Sequence, residues 1–144
     1  ISHDLIPMLL KDFGLVIAIK NLVDNINQRS EVKLWYDSFN FDERISSNLE
    51  KLFYRLTQEG LNNIVKHSKA QNAYIQLIKH TNSIVLLMDD DGIGFNKNEI
   101  ENDTSRSGIG LLSMNERVIS YNGNITIESS ENNGTEILIE IPLK

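Results

Sequence analysis

Apolar residues recur with helical spacing in three stretches of the chain. The first covers residues 13–27, the second runs from residue 42 or 46 to about residue 68, and the third follows residue 110. Gaps of three and four residues keep side chains on one side of an α-helix. The pattern therefore predicts three amphipathic helices. For residues 1–12, which contain Pro7, we expect a helix end or kink rather than a stable element.

Five other stretches have the composition or the alternation of β-strands. They are residues 32–39, 73–79, 83–88, 124–129 and 135–142. His80-Thr81-Asn82 and Asn132-Asn133-Gly134 separate neighbouring runs and predict two hairpins. The last two strands alternate apolar and polar residues, as strands with one covered face do. We expect the aromatic residues of the first strand to lie in the core.

One side of the long second helix changes from apolar to polar before the helix ends. Its apolar stripe spans residues 45–56, and the next positions at the same spacing are Glu59, Asn63 and Lys66. A buried amide without a partner costs about 1–3 kcal/mol, so a polar ligand is expected here. These side chains offer a base, a neutral oxygen and a positive charge, which suit a metal-bound polyphosphate. Alternatively, the helix leaves the core, and Lys66 and His67 only complement its dipole.

A second polar motif, Asp89-Asp90-Asp91-Gly92-Ile93-Gly94-Phe95, follows the third predicted strand. It does not fit the dinucleotide-binding glycine pattern, because Lys97 occupies the third glycine position, and it fits neither the P-loop nor the EF-hand pattern. The Asp90 carboxylate could accept a hydrogen bond from an amine such as that of adenine, and the glycines would let the ring approach the backbone. Acidic glycine turns are common, so the motif alone does not establish a nucleotide site.

The segment between this motif and the third helix is polar. Residues 96–107 contain a single apolar residue, Ile100, and predict a mobile loop. Gly108-Ile109-Gly110-Leu111 then opens the helix, whose free N–H groups suit phosphate, although the glycines could equally form a hinge. Arg106 is either a charge clamp or a solvated residue. Thr135 is either a strand former or a hydroxyl that supports Asp90.

Composition narrows the classes of partner. The chain has 144 residues, 40% of them apolar and 24% charged, which indicates one globular domain. Its 20 acidic and 14 basic residues give a net charge of -6, which argues against nucleic-acid binding and favours a nucleotide held by a local site. The absence of cysteine fits a reducing compartment, and no apolar run is long enough to span a membrane. We therefore expect a cytoplasmic domain, cut from a larger protein that could carry a membrane anchor.

Taken together, the motifs resemble the ATP-binding catalytic domain of sensor histidine kinases, especially the subfamily of nitrate and membrane-fluidity sensors, within the gyrase/Hsp90/histidine kinase/MutL ATPase superfamily. The resemblance covers residues 14–144 and rests on four motifs: residues 58–68, Asp90-x-Gly92-x-Gly94-Phe95, Gly108-x-Gly110-Leu111 with Met114, Glu116 and Arg117, and Gly134-Thr135. It implies an α+β two-layer sandwich, the Bergerat ATP-binding fold, with a mixed, mostly antiparallel sheet covered by three helices on one face. It also implies that residues 1–13 are the tail of a preceding dimerisation helix or a linker.

The resemblance implies roles for individual residues. Asn63 would ligate Mg²⁺, Asp90 would bind the adenine amine, and Thr135 would join the adenine network through water. Glu59 would be the polarising base, while Lys66 and His67 would lie near the phosphates. The full set of expected nucleotide-binding residues is Asn63, Lys66, His67, Asp90, Gly92, Ile93, Gly94, Phe95, Arg106, Gly108, Ile109, Gly110, Leu111 and Thr135.

The implied function is transfer of the γ-phosphoryl group of ATP to a histidine on a dimerisation domain absent from this chain. ATP and Mg²⁺ would be the cofactors, and the partners would be that phosphoacceptor domain and the receiver domain of a response regulator, in a homodimeric full-length protein. His3-Asp4 departs from the acceptor motif, because Leu-Ile-Pro follows it. The alternatives are a serine kinase of the anti-sigma-factor type and a nucleotide-binding module of the same superfamily.

Overall fold

A computed structural model describes residues 7–95 and 106–143 of the chain, with the side chains of residues 106–109 outside the description. Within these ranges the helices are α1 (Met8–Phe13), α2 (Leu15–Arg29), α3 (Ser47–Asn63) and α4 (Arg106–Ser120). The strands are β1 (Lys33–Phe39), β2 (Asn72–Lys79), β3 (Ser83–Asp90), β4 (Asn124–Ser129) and β5 (Thr135–Pro142). A π-helical turn, Ile64–Ser68, continues α3. The three predicted helices and five predicted strands are confirmed.

The strands form a single sheet in the order β1-β2-β3-β5-β4. β1 pairs with β2 in parallel, and the other neighbours are antiparallel. The parallel pair needs a crossover, which α3 supplies, while β2–β3 and β4–β5 are the two predicted hairpins. The mixed, mostly antiparallel sheet is thereby confirmed.

The core lies between one face of this sheet and the helices. Alternate residues of β3 point into it, from Ile84 and Leu86 to Met88 and finally Asp90. Fully buried residues of the three long helices complete the same cluster: Ile19 of α2, Phe53 of α3 and Val118 of α4. The expected two-layer arrangement is therefore confirmed.

The opposite face of the sheet carries exposed aromatic residues. Trp35 stacks on Tyr74 with ring centroids 6.4 Å apart, and each is 50% exposed. The Lys33 ammonium lies 5.9 Å from the centre of the Trp35 ring. The expectation that Trp35 and Phe39 are core residues is wrong, because alternation along β1 turns Leu34 and Tyr36 toward the helices and leaves Trp35 and Phe39 on the opposite face.

Residues 8–13 form a helix, contrary to the expectation of a helix end or kink. Pro7 immediately precedes α1 in an extended conformation, where its missing N–H is not needed, and its carbonyl accepts a hydrogen bond from Leu10 N–H at 3.1 Å. The Leu10 side chain is only 2% exposed and packs into the core. Gly14, with φ at +94°, then separates α1 from α2.

An ion pair joins the α1–α2 junction to the first turn of α3. The Arg44 guanidinium donates to both carboxylate oxygens of Glu50, at 2.7 and 3.2 Å. It also donates to the carbonyls of Leu10 and Lys11, each at 3.0 Å, and so caps the end of α1. The Glu50 carboxylate accepts the N–H of Leu15, the first residue of α2, at 3.3 Å. Three helix ends therefore meet at one ion pair.

Replacing Glu50 with Gln is expected to lower the melting temperature by several degrees. The buried Glu50 carboxylate receives hydrogen bonds from Arg44 and from Leu15, and the neutral amide cannot replace both charge and acceptors. The control is Asp24→Asn, which removes an exposed pair with Lys20 on α2. Such exposed pairs contribute about 0–1 kcal/mol. Equal melting temperatures for the two variants would contradict the expectation.

Candidate functional site

A cavity of about 210 Å³ lies beside α3 where β3 ends and α4 packs. The predicted site residues that line it are Asn63, His67, Asp90, Ile93, Gly94, Phe95, Leu111 and Thr135. The other lining residues, which the sequence analysis did not select, are Gly60, Ile64, Ser68, Met88 and Ile137. Met88 and Ile137 could have been found from alternation, because each lies two residues from Asp90 or Thr135 along its strand. The cavity therefore combines apolar walls with a few polar groups, as ligand sites do.

Asp90 is the buried carboxylate of this cavity. It is the last residue of β3 and pairs with Thr135, the first residue of β5. Its side chain accepts the Gly92 N–H at 2.9 Å. Burial raises the pKa of Asp90, and the charges of Asp89 and Asp91 act in the same direction, whereas the backbone groups of Gly92 and Thr135 oppose them. An acceptor held in this way suits a ligand that brings an N–H donor.

The two neighbouring aspartates have other surroundings. Asp89 alternates to the opposite face of the sheet, where burial and the charge of Asp91 raise its pKa. Asp91 accepts the backbone N–H groups of Asn72 and Gln71 at 3.0 and 2.8 Å, and these hydrogen bonds lower its pKa. Asp91 thus fastens the start of β2, and of the three carboxylates only Asp90 lines the cavity.

Gly92 and Gly94 are required by close contacts between backbone segments. A side chain at Gly92 would collide with the Ser68 carbonyl, which accepts the Ile93 N–H at 2.7 Å. Gly94 has φ at +66°, and a side chain there would collide with the Ser130 carbonyl. The structure shows that these glycines bring two other segments of the chain close to the backbone. The predicted approach of a ligand ring to the same backbone stays a prediction, and Gly94 lines the cavity.

The end of α3 presents a buried amide with no partner. The Asn63 side-chain nitrogen is buried and has no hydrogen-bond partner among the described residues. An unsatisfied buried amide costs about 1–3 kcal/mol, which a bound ligand would recover. The unpaired group is an N–H donor, so it fits a hydrogen bond to a phosphate oxygen, while the predicted magnesium ligand would be the amide oxygen of the same side chain.

Glu59 lies beside Asn63 but does not line the same cavity. It lines a neighbouring one of about 260 Å³, together with Arg117 of α4. A side chain added at Gly110 would collide with the Glu59 carboxylate and lie 3.6 Å from the Asn63 side-chain oxygen. The second turn of α4 is therefore packed directly on the Glu59–Asn63 pair, and Gly110 is the residue that permits the approach.

The prediction that one whole side of α3 becomes polar is only partly right. Gly60, Leu61 and Ile64 remain buried and continue the apolar side, while Glu59 and Asn63 are half-buried at its flank. The π-helical turn then exposes Lys66 and His67. His67 lines the cavity and Lys66 does not. Such turns are frequent at functional sites, because the wider turn changes which side chains face a ligand.

The predicted loop at residues 96–107 lies mostly outside the described residues. Residues 96–105 are not described, so the mobile loop remains a prediction. Arg106 and Ser107 belong to α4, so the predicted boundary is wrong, and Gly108 and Gly110 lie within the helix rather than before it. The side chains of Arg106 and Ile109 are outside the description, and their predicted contacts are untested.

Ser129 is a residue that the sequence analysis missed. Its hydroxyl accepts the Phe95 N–H, donates to the Gly134 carbonyl and contacts the Thr135 hydroxyl, each at 2.9 Å. The β4–β5 register places Ser129 directly opposite Thr135. The predicted hairpin could have suggested this pairing, but a lone serine at a strand end carries no signal of its own.

In the described part of the chain, no three His, Asp or Glu side chains converge as a metal site, so a metal ion would depend on ligand oxygens as well as Asn63. None of the helices in this part is both long enough and apolar enough to cross a membrane.

Comparison with known proteins identifies the class. The family model described as histidine kinase-, DNA gyrase B-, and HSP90-like ATPase matches residues 48–144, and the chain belongs to this family of ATP-binding domains. Sensor histidine kinase ComP of Bacillus subtilis (strain 168) is 39% identical over 98% of this chain and 18% of its own length. The histidine kinase/phosphatase DegS of Brevibacillus brevis is 30% identical over 99% of this chain and 36% of its own length. The chain thus spans well under half of these relatives.

Solved structures support the fold. The catalytic domain of histidine kinase ThkA superposes with a TM-score of 0.68 at 16% identity, covering 89% of each chain. The mycobacterial sensor histidine kinase MprB gives a TM-score of 0.65 at 18% identity, covering 88% of this chain and 92% of its own. The expected ATP-binding fold is confirmed.

Gly110→Ala is expected to stabilise the protein by less than the roughly 0.5–1 kcal/mol that alanine usually adds at a helical glycine. The new methyl group would collide with the Glu59 carboxylate, the end of a flexible side chain, which would have to move aside. The measurement is chemical denaturation without ligand. The control is Leu112→Ala on the exposed side of α4, expected to change stability by less than about 0.5 kcal/mol. A full gain of about 0.5–1 kcal/mol would contradict the close packing of Gly110 on Glu59.

Asp90→Asn is expected to leave the ligand-free protein as stable at pH 7 as the parent, or more stable. The folded-state pKa of Asp90 lies above its ordinary value of 3.8, so folding penalises the ionised form. The penalty disappears as the pH falls through the folded pKa and then below 3.8, where both states are protonated. Denaturation between pH 3 and 7 measures the difference.

The neighbouring Asp91→Asn variant is the control, and its expected change in stability has the opposite sign. Hydrogen bonds lower the folded-state pKa of Asp91, so its charge stabilises the fold above pH 3.8, and this contribution is lost as the pH falls through the folded pKa. Asp91→Asn should therefore be less stable than the parent at pH 7, and the difference should shrink in acid. Parallel pH profiles for the two variants would contradict both assignments.

Proposed function

We propose that this chain is the catalytic domain of a sensor histidine kinase, which transfers the γ-phosphoryl group of ATP to a histidine on a dimerisation domain outside the chain. The observation that carries the proposal is the pair of polar groups in one cavity: the buried Asp90 carboxylate and the partnerless Asn63 amide. The relatives named as sensor histidine kinases support the choice of phosphoacceptor.

The Asp90 end of the cavity would hold the adenine base. Asp90 would accept from the amino group, with Thr135 beside it, and Met88, Leu111 and Ile137 would cover the ring. The cavity of about 210 Å³ is smaller than the roughly 300–1,000 Å³ of complete drug-sized sites. It would therefore take the base and part of the ribose, and the phosphates would extend toward the end of α3.

The end of α3 would hold the phosphate groups. Asn63 would provide an oxygen ligand to Mg²⁺, which when bound neutralises charge on the phosphate oxygens. Glu59 would orient or deprotonate the attacking histidine, and the packing of Gly110 against it would keep the carboxylate in place. The exposed Lys66 and His67 would attract the phosphates, at a surface that an acceptor domain can reach.

The remaining proposals concern the larger protein. Residues 1–13 would be the end of a dimerisation helix or linker, and helical α1 is compatible with that assignment. The partners would be the phosphoacceptor domain of the same kinase and the receiver domain of a response regulator, in a homodimer. ATP is a cytoplasmic substrate, so the domain would face the cytoplasm.

The deciding experiment has two parts. Calorimetry with Mg-ATP and Mg-GTP should show binding of ATP at least about tenfold tighter, because Asp90 selects an amino group at the base edge. Incubation with the dimerisation domain of the same protein and labelled ATP should then give acid-labile phosphohistidine. Acid-stable phosphoserine on a partner protein would instead indicate a serine kinase, and no nucleotide binding would rule out both kinases.

Asn63→Asp is expected to change the magnesium dependence of nucleotide binding. The additional charge alters the ligand set of the metal and repels the phosphates, so ADP should be weakened more in the presence of magnesium than in its absence. Calorimetry of ADP with and without magnesium measures the two affinities. The matched control is Asn62→Asp, one residue earlier on α3 and outside the 210 Å³ cavity. Equal losses with and without magnesium would remove Asn63 from the metal site.

A further inference from the structure

The Ser129 hydroxyl lies behind the polar end of the cavity and touches three segments of the chain. The Phe95 N–H donates to it, and it lies 2.9 Å from both the Gly134 carbonyl oxygen and the Thr135 hydroxyl. The geometry of the last contact allows either hydroxyl to be the donor. Ser129 is not among the residues that line the cavity, whereas Thr135 is.

The number of available protons determines which hydroxyl donates in the hydrogen bond between Ser129 and Thr135. A hydroxyl has one proton to donate and two lone pairs. The Gly134 carbonyl can only accept, so it takes the Ser129 proton, and the Phe95 N–H occupies one Ser129 lone pair. The contact with Thr135 must then be donated by Thr135 to the second lone pair. The Thr135 proton is thus directed to Ser129, and the Thr135 oxygen can only accept from the cavity.

We propose that Ser129 is a positioning residue that sets base specificity by fixing the Thr135 hydroxyl as a hydrogen-bond acceptor. The adjacent Asp90 carboxylate is also an acceptor, and it already receives the N–H group of Gly92. Two acceptors at one end of the cavity favour a base edge with an amino group, which has two N–H donors. They disfavour a carbonyl at the same position, because its oxygen would face two others without a proton between them. The inference rests on the proposed function, since it requires a purine in this cavity.

Removal of the Ser129 hydroxyl has a specific chemical consequence. In Ser129→Ala the Thr135 proton has no partner on that side and is free to turn toward the cavity. The polar end then offers one donor and one acceptor, which a carbonyl-bearing base can use. A general loosening of the hairpin would instead weaken every nucleotide alike. The ratio of the affinities for an amino-bearing and a carbonyl-bearing nucleotide therefore distinguishes a change of specificity from a general loss of binding.

The test compares Mg-ATP with Mg-ITP, which carries a carbonyl in place of the adenine amino group and has no second amino group. Calorimetry should show that the parent protein prefers ATP at least about tenfold, about 1.4 kcal/mol. Ser129→Ala should reduce this preference by about three- to tenfold, whereas Ser129→Thr, which keeps the hydroxyl, should retain it. The matched control is Ser130→Ala: Ser130 is exposed, its hydroxyl accepts from Asn133 in the adjacent turn, and its loss should leave the ratio unchanged.

Each outcome decides the matter. An equal loss of affinity for both nucleotides in Ser129→Ala would make Ser129 a structural support and overturn the inference, while the proposed function would stand. Absence of ATP binding by the parent protein would overturn both. If Ser129→Ala does not fold, Thr135→Val provides the test, because it removes the acceptor and keeps a strand-forming residue. This variant must reduce the preference for ATP over ITP, and an unchanged preference would refute the inference. Amide exchange at Phe95 in the ligand-free protein, expected to accelerate in Ser129→Ala, reports the hydrogen bond without nucleotide.

Discussion

The register between β3 and β5 decides which carboxylate enters the cavity. Three aspartates follow one another at the end of β3, and a slip of one residue would exchange Asp90 for a neighbour. The slip is opposed by contacts specific to this register: Met88 packs against Gly60 of α3, and the Asp91 carboxylate accepts the N–H groups of Gln71 and Asn72. The choice of carboxylate is thus fixed by the residues on either side of Asp90.

The same division of labour holds for α3. Its buried side, from Phe53 through Gly60 to Ile64, attaches the helix to the sheet, and the polar pair Glu59 and Asn63 lies at the edge of that contact. A Cβ at Gly60 would collide with Met88, so the helix approaches β3 closely where the cavity begins. The polar side chains therefore lie at the edge of the helix–sheet contact, and the core beneath α3 stays fully packed.

Much of this arrangement could be predicted from the sequence, for identifiable reasons. Alternation and helical spacing reveal the strands and long helices, and Asn63 and Asp90 stand out because polar residues interrupt apolar patterns. The start of α4 could not be predicted, since two glycines in a helix contradict local propensity, and the reason for Gly110, its close approach to Glu59, exists only in the folded chain. The role of Ser129 could not be predicted for a different reason: it depends on three hydrogen-bond partners that only the folded chain brings together.

The Arg44–Glu50 ion pair has a mechanical consequence. A glycine such as Gly14 would ordinarily allow α1 to rotate relative to the rest of the domain. Here the Arg44 guanidinium donates to carbonyls in the last turn of α1, and the Glu50 carboxylate accepts the first N–H of α2. Both anchors belong to the segment that begins α3. A rotation of α1 would consequently move the N-terminal end of α3, the helix that carries Asn63, and would not be taken up by a change of backbone angles at Gly14.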